Sequence, residues 1–229
     1  MKRRILAATA ACVTVLCAGC IVLDEVTTVS IRPDGSSHLV VFDSNVRSTE
    51  QGAEAEKELK RYVEQFNAQS SEDFVRIRNA GGEVVGTNWV RDEPPYSTLV
   101  TARFHDAQAL EKLWTIEGKE DDLRLSTRFS KDGTRRKLSM IALPPKDLKL
   151  EDISPDSREA RQNRANGISE LRIVVIDGRI LASQGWTVAS DNRSALLSLE
   201  DVAQLIRKNS AQVELFLEWE VLATARSIR

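Results

Sequence analysis

The chain has 229 residues, of which 41% are hydrophobic and 29% charged, with a net charge of −2. That is enough for one sizeable domain or two small ones, and too apolar a composition for a disordered chain. Acidic and basic residues are interspersed, which excludes the basic stripe of a dedicated nucleic-acid binder.

The first 20 residues differ from the rest. Lys2, Arg3 and Arg4 give a basic start, Ile5 to Leu16 is uncharged, and Cys17-Ala18-Gly19-Cys20 closes the stretch with small residues. This is the layout of a secretory signal peptide. Its ending resembles the lipobox of bacterial lipoproteins. By that resemblance residues 1–19 are removed and Cys20 receives a diacylglycerol thioether, becoming the acylated N-terminus of an envelope domain over residues 20–229. An uncleaved anchor is the alternative, because Ile5 to Leu23 is an uncharged run of 19 residues, within spanning length. Its Ala, Thr, Cys and Gly content makes insertion marginal. Cysteine usage favours the lipoprotein. Cys12 and Cys17 fall in the removed segment, so Cys20 is the one mature thiol, and acylation explains it.

No Ser- or Gly-rich tether follows. Ile21-Val22-Leu23 leads at once into β-prone sequence, so the domain should begin within a few residues of the bilayer. Three strand-like runs are broken by Asp-Gly, a hairpin signal when apolar strands flank it: at Asp34-Gly35, Asp132-Gly133 and Asp177-Gly178. In the second, Leu123, Leu125, Thr127 and Phe129 alternate with Arg124, Ser126 and Arg128, as in a strand wet on one face. Between hairpins, Ala55, Leu59, Val63 and Phe66 recur at helical spacing. Pro94-Pro95 separates two further strands. Asp106 caps a short helix whose inner face is Leu110, Leu113 and Trp114.

Residues 154–166 read as a polar surface helix or connector between two subregions, 20–150 and 168–229, that share a core. Ser198 and Asp201 form a capping box for a helix with Val202, Leu205 and Ile206 inward. In the last strand Val213, Leu215, Leu217, Trp219 and Val221 share one face and Glu214, Glu218 and Glu220 the other. Hairpins outnumber crossovers, so the expected fold is α+β, a largely antiparallel sheet with helices packed on one face.

Chemistry is sparse. His38 and His105 lie far apart, short of the three or four ligands that zinc needs. No nucleophile motif, phosphate loop, dinucleotide fingerprint or calcium loop is present, so neither a metal nor a cofactor is expected. The acids of Glu120 to Asp122, and Asp92 with Glu93, read as solvated groups rather than paired catalytic carboxylates. Arg124, Arg128, Lys131, Arg135, Arg136 and Lys137 load the second hairpin with cations. Either neighbouring acids neutralise them, or they meet anionic headgroups, at about 1 kcal/mol per cation. Trp186, after Gln184-Gly185, is a candidate exposed aromatic for an interface or ligand groove; the other reading is a core Trp closing the sheet edge.

Ile31 to Ser36, "ARFHDAQALEKL" and "VVIDGRILASQGW" together resemble bacterial lipoproteins of the mycobacterial LppM-like type. The resemblance implies an α+β lipoprotein domain. The expected function is non-enzymatic: a membrane-anchored envelope protein binding a partner protein, or a lipid or other small ligand, near the membrane. In a Gram-negative cell, Ile21 after Cys20 resembles the signal for transfer to the outer membrane. The competing expectations are an envelope hydrolase with carboxylates from separate strands, recognisable by facing acids in a deep pocket, and a structural subunit of an envelope complex.

Overall fold

Alternation shapes the first hairpin. In β1 (Ile21–Ile31) Glu25, Thr27, Val29 and Ile31 are buried while Val26, Thr28 and Ser30 are half-exposed, and β2 (Ser37–Ser48) continues the pattern with Ser37, Leu39 and Val41 inward. The computed structural model describes residues 21–115, 124–143, 169–198, Val202, Leu205 and residues 212–222. Asp34 Oδ1 accepts from the Ser36 amide at 2.9 Å and its hydroxyl at 2.7 Å, which holds that carboxyl below its ordinary range. Gly35 takes φ +93°, a left-handed bend open to glycine.

Two helices follow, α1 (Gly52–Asn67) and α2 (Glu72–Asn79), and then the antiparallel pair β3 (Glu83–Arg91) and β4 (Tyr96–Phe104). The sequence reading had no counterpart for α2. Its signals are Ser71 at the N-cap position, Glu72 and Asp73 in the first turn, and Phe74 and Ile77 buried three residues apart. Pro94 and Pro95 lie in the turn between β3 and β4, joined by a cis peptide bond. Helix α3 (Ala107–Trp114) is capped as expected, with Asp106 Oδ1 accepting from the Ala109 amide at 2.9 Å.

The second hairpin, β5 (Arg124–Asp132) and β6 (Arg135–Leu143), forms as expected, but Asp132 pairs with Arg135, so the two loop residues are Gly133 and Thr134. Beyond it come β7 (Ser169–Val175), β8 (Gly178–Gln184), β9 (Thr187–Val188), β10 (Ser194–Ser198) and β11 (Val213–Val221). Val202 and Leu205 are helical, and both pack on the core.

The strands form two sheets, one of seven in the order β3-β4-β2-β1-β7-β10-β9 and one of four in the order β5-β6-β11-β8. Among the described residues every pairing is antiparallel except β1 with β7. The fold is α+β and largely antiparallel. Each sheet takes strands from both sides of the 144–168 segment, which lies outside the described residues.

The expected third hairpin is not one. The turn occurs, with Asp177 at φ +49°, but β7 and β8 enter different sheets. The Ile176 amide bonds the Ile31 carbonyl at 2.8 Å, extending the parallel pairing, while the Leu222 amide bonds the Asp177 carbonyl at 2.8 Å, drawing the chain toward β11. Gly178 sits at the crossing, where a Cβ would lie 3.1 Å from the Glu220 carbonyl oxygen.

Three turns therefore gather at one end of the molecule. Arg136 Nη2 reaches the Pro33 carbonyl at 3.2 Å, and the Val221 amide bonds Thr134 at 2.8 Å. Ile21 opens the other end, about 35 Å away at roughly 3.3 Å per residue along β1. One hydrophobic cluster joins both sheets and the helices, with Trp114, Trp219, Phe74 and Phe104 fully buried within it. The outer edge of β5 is tied to the helical layer: the Thr127 amide donates to Thr115 Oγ1 at 3.3 Å and the Phe129 amide to Glu111 Oε1.

Candidate functional site

The end of the molecule near Ile21 carries a groove of about 420 Å³. Leu59 and Val63 of α1 form one wall, Pro94 and Tyr96 the other, and Glu56, Lys60 and Glu64 lie along it. Helical spacing puts Leu59 and Val63 on one face of α1, and both remain half-exposed because the sheet beneath meets the adjacent face. Tyr96 also belongs to an aromatic cluster. Its ring is 5.6 Å from that of Trp89, which stands 4.7 Å from Phe66 and 6.3 Å from Tyr62. Trp89 Nε1 donates to Asn67 Oδ1 at 3.0 Å, joining β3 to the end of α1.

Beneath α1 the sheet's buried face turns polar. Glu25 of β1 is the register partner of Asp43 on β2, and Asp43 is the partner of Thr98 on β4. Thr27 donates to Glu25 Oε1 at 2.8 Å, Thr98 to Asp43 Oδ2 at 3.3 Å, and the Tyr62 hydroxyl lies 3.1 Å from Thr98 Oγ1. Asp43 Oδ1 is buried without a hydrogen-bond partner. Burial, then the charges of Glu25 and Asp73, push the Asp43 carboxyl well above its ordinary range, against the bonds from Thr98 and Tyr62. Tyr62 is raised in turn by burial and by Asp43. A separate cavity of about 20 Å³, lined by Thr27, Asp73 and Arg76 among apolar neighbours, has room for one water.

Two of the six hairpin cations meet acids within their own sheet. Arg135 approaches Glu218 at 3.5 Å and Lys137 approaches Glu214 at 3.6 Å, with the Lys137 ammonium 4.5 Å from the Phe216 ring centre. The neutralising acids therefore come from β11; Glu120 to Asp122 lie outside the described residues. Arg136 is a correction to the expected surface group. Only 7% exposed, it donates to the carbonyls of Gly133, Arg135 and Pro33. Arg128 and Lys131 are exposed and Arg124 is half-buried, at the opposite end of β5 from Lys131.

Trp186 is likewise not an exposed aromatic. It is 7% exposed because Gly185, at φ +80°, bends the chain against Leu215 and Leu205 and returns the ring to the core. His38 Nε2 is buried without a partner, and burial, with Arg32 and Arg103 nearby, lowers its pKa; His105 is exposed beyond β4. Cys20 lies outside the described residues. Among the described residues no group of three or more His, Cys, Asp or Glu could hold a metal, and no helix is long and apolar enough to cross a membrane.

No family model matches the chain, and no curated protein does. Among solved structures there is a weak resemblance to the folded domain of LppM from Mycobacterium tuberculosis, determined by NMR. The identity is 11% and the TM-score 0.45, over 93% of this chain and 97% of that one.

Proposed function

We propose that this chain is a lipid-anchored cell-envelope protein whose domain binds a partner protein, or a lipid or other small apolar ligand, without catalysing a reaction. Cys20 carries the acyl chains, on the periplasmic face of the outer membrane if the cell is Gram-negative. The observation that supports this most is the start of β1: Ile21, next to Cys20, is already paired with Ser48. A chain anchored there has no tether, so the groove of Leu59, Val63, Pro94 and Tyr96 is held at the membrane end of the domain. Its apolar walls and aromatic neighbours suit an apolar ligand or side chain.

The hydrolase reading draws support from the facing pair Glu25 and Asp43. The Tyr62 hydroxyl lies on Thr98 beside that pair, however, and neither Glu25 nor Asp43 lines the groove or the cavity of about 20 Å³. Native mass spectrometry of protein extracted gently from its own membranes tests the anchored-binder reading. A chain starting at Cys20, with acyl mass and a retained lipid or partner, is the expected result. An unacylated chain starting at Met1 overturns the anchor, and a bare acylated monomer overturns the binding.

A further inference from the structure

The seven-stranded sheet has a second face. The helices and the four-stranded sheet share a core with its inner face, through Val29, Leu39, Val41 and Ile173. The outer-face residues alternate with these, and on β4, β2, β1 and β7 they are half-buried or exposed. Register fixes their layout. Phe42 on β2 lies between Leu99 on β4 and Val26 on β1, and Val40 in the next row lies between Thr101 and Thr28. One row further, toward the Arg32–Ser36 turn, His38 lies between Arg103 and Ser30. Arg172 of β7 is the partner of Thr28, and Arg32 continues β1 past Ile31, its amide on the Ser36 carbonyl at 2.9 Å. The face is apolar in its middle and cationic toward the turn.

We propose that this open face docks an acidic amphipathic helix of a partner protein. The apolar side chains of that helix cover Leu99, Phe42, Val26 and Val40, and its carboxylates meet Arg103, Arg172 and Arg32.

Charge selects the occupant. All three arginines are exposed, and among the described residues none of their guanidinium groups is in an ion pair or a hydrogen bond. Asp34, the acid nearest Arg32, is held by Ser36. His38 Nε2 is buried without a hydrogen-bond partner, and burial, then Arg32 and Arg103, lowers the pKa of that imidazole, so the cations gather round one point. A carboxylate arriving there offsets their mutual repulsion.

Shape selects it too. Arg103 on β4 and Arg172 on β7 are three strand spacings apart, about 14 Å, which brackets a helix of about 10–12 Å diameter laid along β1 and β2. From Val26 to Arg32 the face runs about 20 Å, the length of about 13 helical residues. The acids on the face are Glu83, partner of Arg103, and Glu170, partner of Val26. A helix along β1 and β2 passes between them, whereas a sheet of anionic headgroups would meet both. Leu99, Phe42, Val26 and Val40 are half-buried, which suits a partner that brings its own apolar side chains rather than a bilayer to be entered. The face is separate from the groove beside α1, and docking on it does not need the lipid anchor.

Titration of the isotope-labelled full chain with a synthetic helical peptide of about 14 residues tests it. The peptide carries leucines on one face and glutamates on both flanks, and a second peptide has lysine in place of every glutamate. Amide shifts should appear in Val26–Arg32, His38–Phe42 and Leu99–Arg103 with the acidic peptide, and Arg103→Glu with Arg172→Glu should weaken binding by about tenfold or more. An absence of shifts overturns the docking, as do equal shifts with the lysine peptide, shifts confined to the groove of Leu59 and Tyr96, or binding that the charge reversals leave unchanged. Vesicles of phosphatidylcholine and phosphatidylglycerol are the second probe. If they broaden the same amides and the reversals restore them, the face meets a lipid surface and the partner helix is overturned. If the double variant does not fold, Arg103→Glu alone is judged by the same outcomes.

Discussion

Glu25 and Asp43 stand directly opposite each other on β1 and β2, both on the sheet face that the helices cover. The Asp43 carboxyl is pushed above its unfolded value, so the folded state binds the proton more tightly. Its contribution to stability is present at acid pH and is lost as pH rises through the folded pKa. The difference in unfolding free energy between Asp43→Asn and the parent chain should therefore grow with pH, reaching on the order of 1 kcal/mol in favour of the variant at neutral pH. Urea unfolding across the pH range measures this, and a pH-independent difference refutes it.

Arg136 should behave unlike its neighbours. Its buried guanidinium bridges two chain turns through Gly133 and Pro33, so Arg136→Ala removes the charge-assisted bonds that join them and should cost about 2–3 kcal/mol. Arg128→Ala, on the exposed face, should stay within about 0.5 kcal/mol of the parent. Equal losses in denaturant melts would show that Arg136 has no special structural role.

Gly82 has no room for a side chain, since a Cβ there would collide with the Phe104 ring and lie 2.9 Å from Ile77 Cγ2. Gly82→Ala should destabilise by about 1–3 kcal/mol through overpacking between α2 and β4. Thermal unfolding reads it directly, and an unchanged midpoint would contradict the contact.

Charge at the tip of the second hairpin should not matter to membrane retention if the chain is held at Cys20. Lys131 and Arg135 lie near the Arg32–Ser36 turn, about 35 Å from Ile21 at the rise of a β-strand, several times the roughly 8 Å screening length at physiological salt. Charge reversal of both should leave flotation of the acylated chain with anionic vesicles unchanged. Reduced flotation would place the tip on the headgroups.

What could be read from the sequence was local. Asp34-Gly35 and Gly133 announce hairpins because turn chemistry needs only adjacent residues. The same signal at Asp177-Gly178 marks a real turn but cannot say whether its flanking strands pair. Ile31 and Glu220, far away in the chain, decide that. Trp186 was ambiguous for a similar reason: whether the ring returns to the core depends on a left-handed Gly185 and on Leu215 beyond it. The acidic row was partly legible. Glu25 keeps step with Thr27, Val29 and Ile31, and Asp43 with Leu39 and Val41, so each is an acid in phase with an apolar face. That the two meet is a matter of register, which only the fold supplies. Tyr62 and Thr98 carried no signal at all.

The tied edge of β5 also bears on self-association. A bare strand edge offers its amides to any extended chain that drifts by, and sheets fuse or grow into aggregates in that way. With the amides of Thr127 and Phe129 already given to Thr115 and Glu111, that edge of the four-stranded sheet has little to offer an invading strand. One outer strand of the larger sheet, β3, achieves a like result by irregularity, its ladder broken between Val84 and Gly86 and again between Trp89 and Arg91. At these two edges, copies crowded side by side on one surface can therefore collide without zipping together.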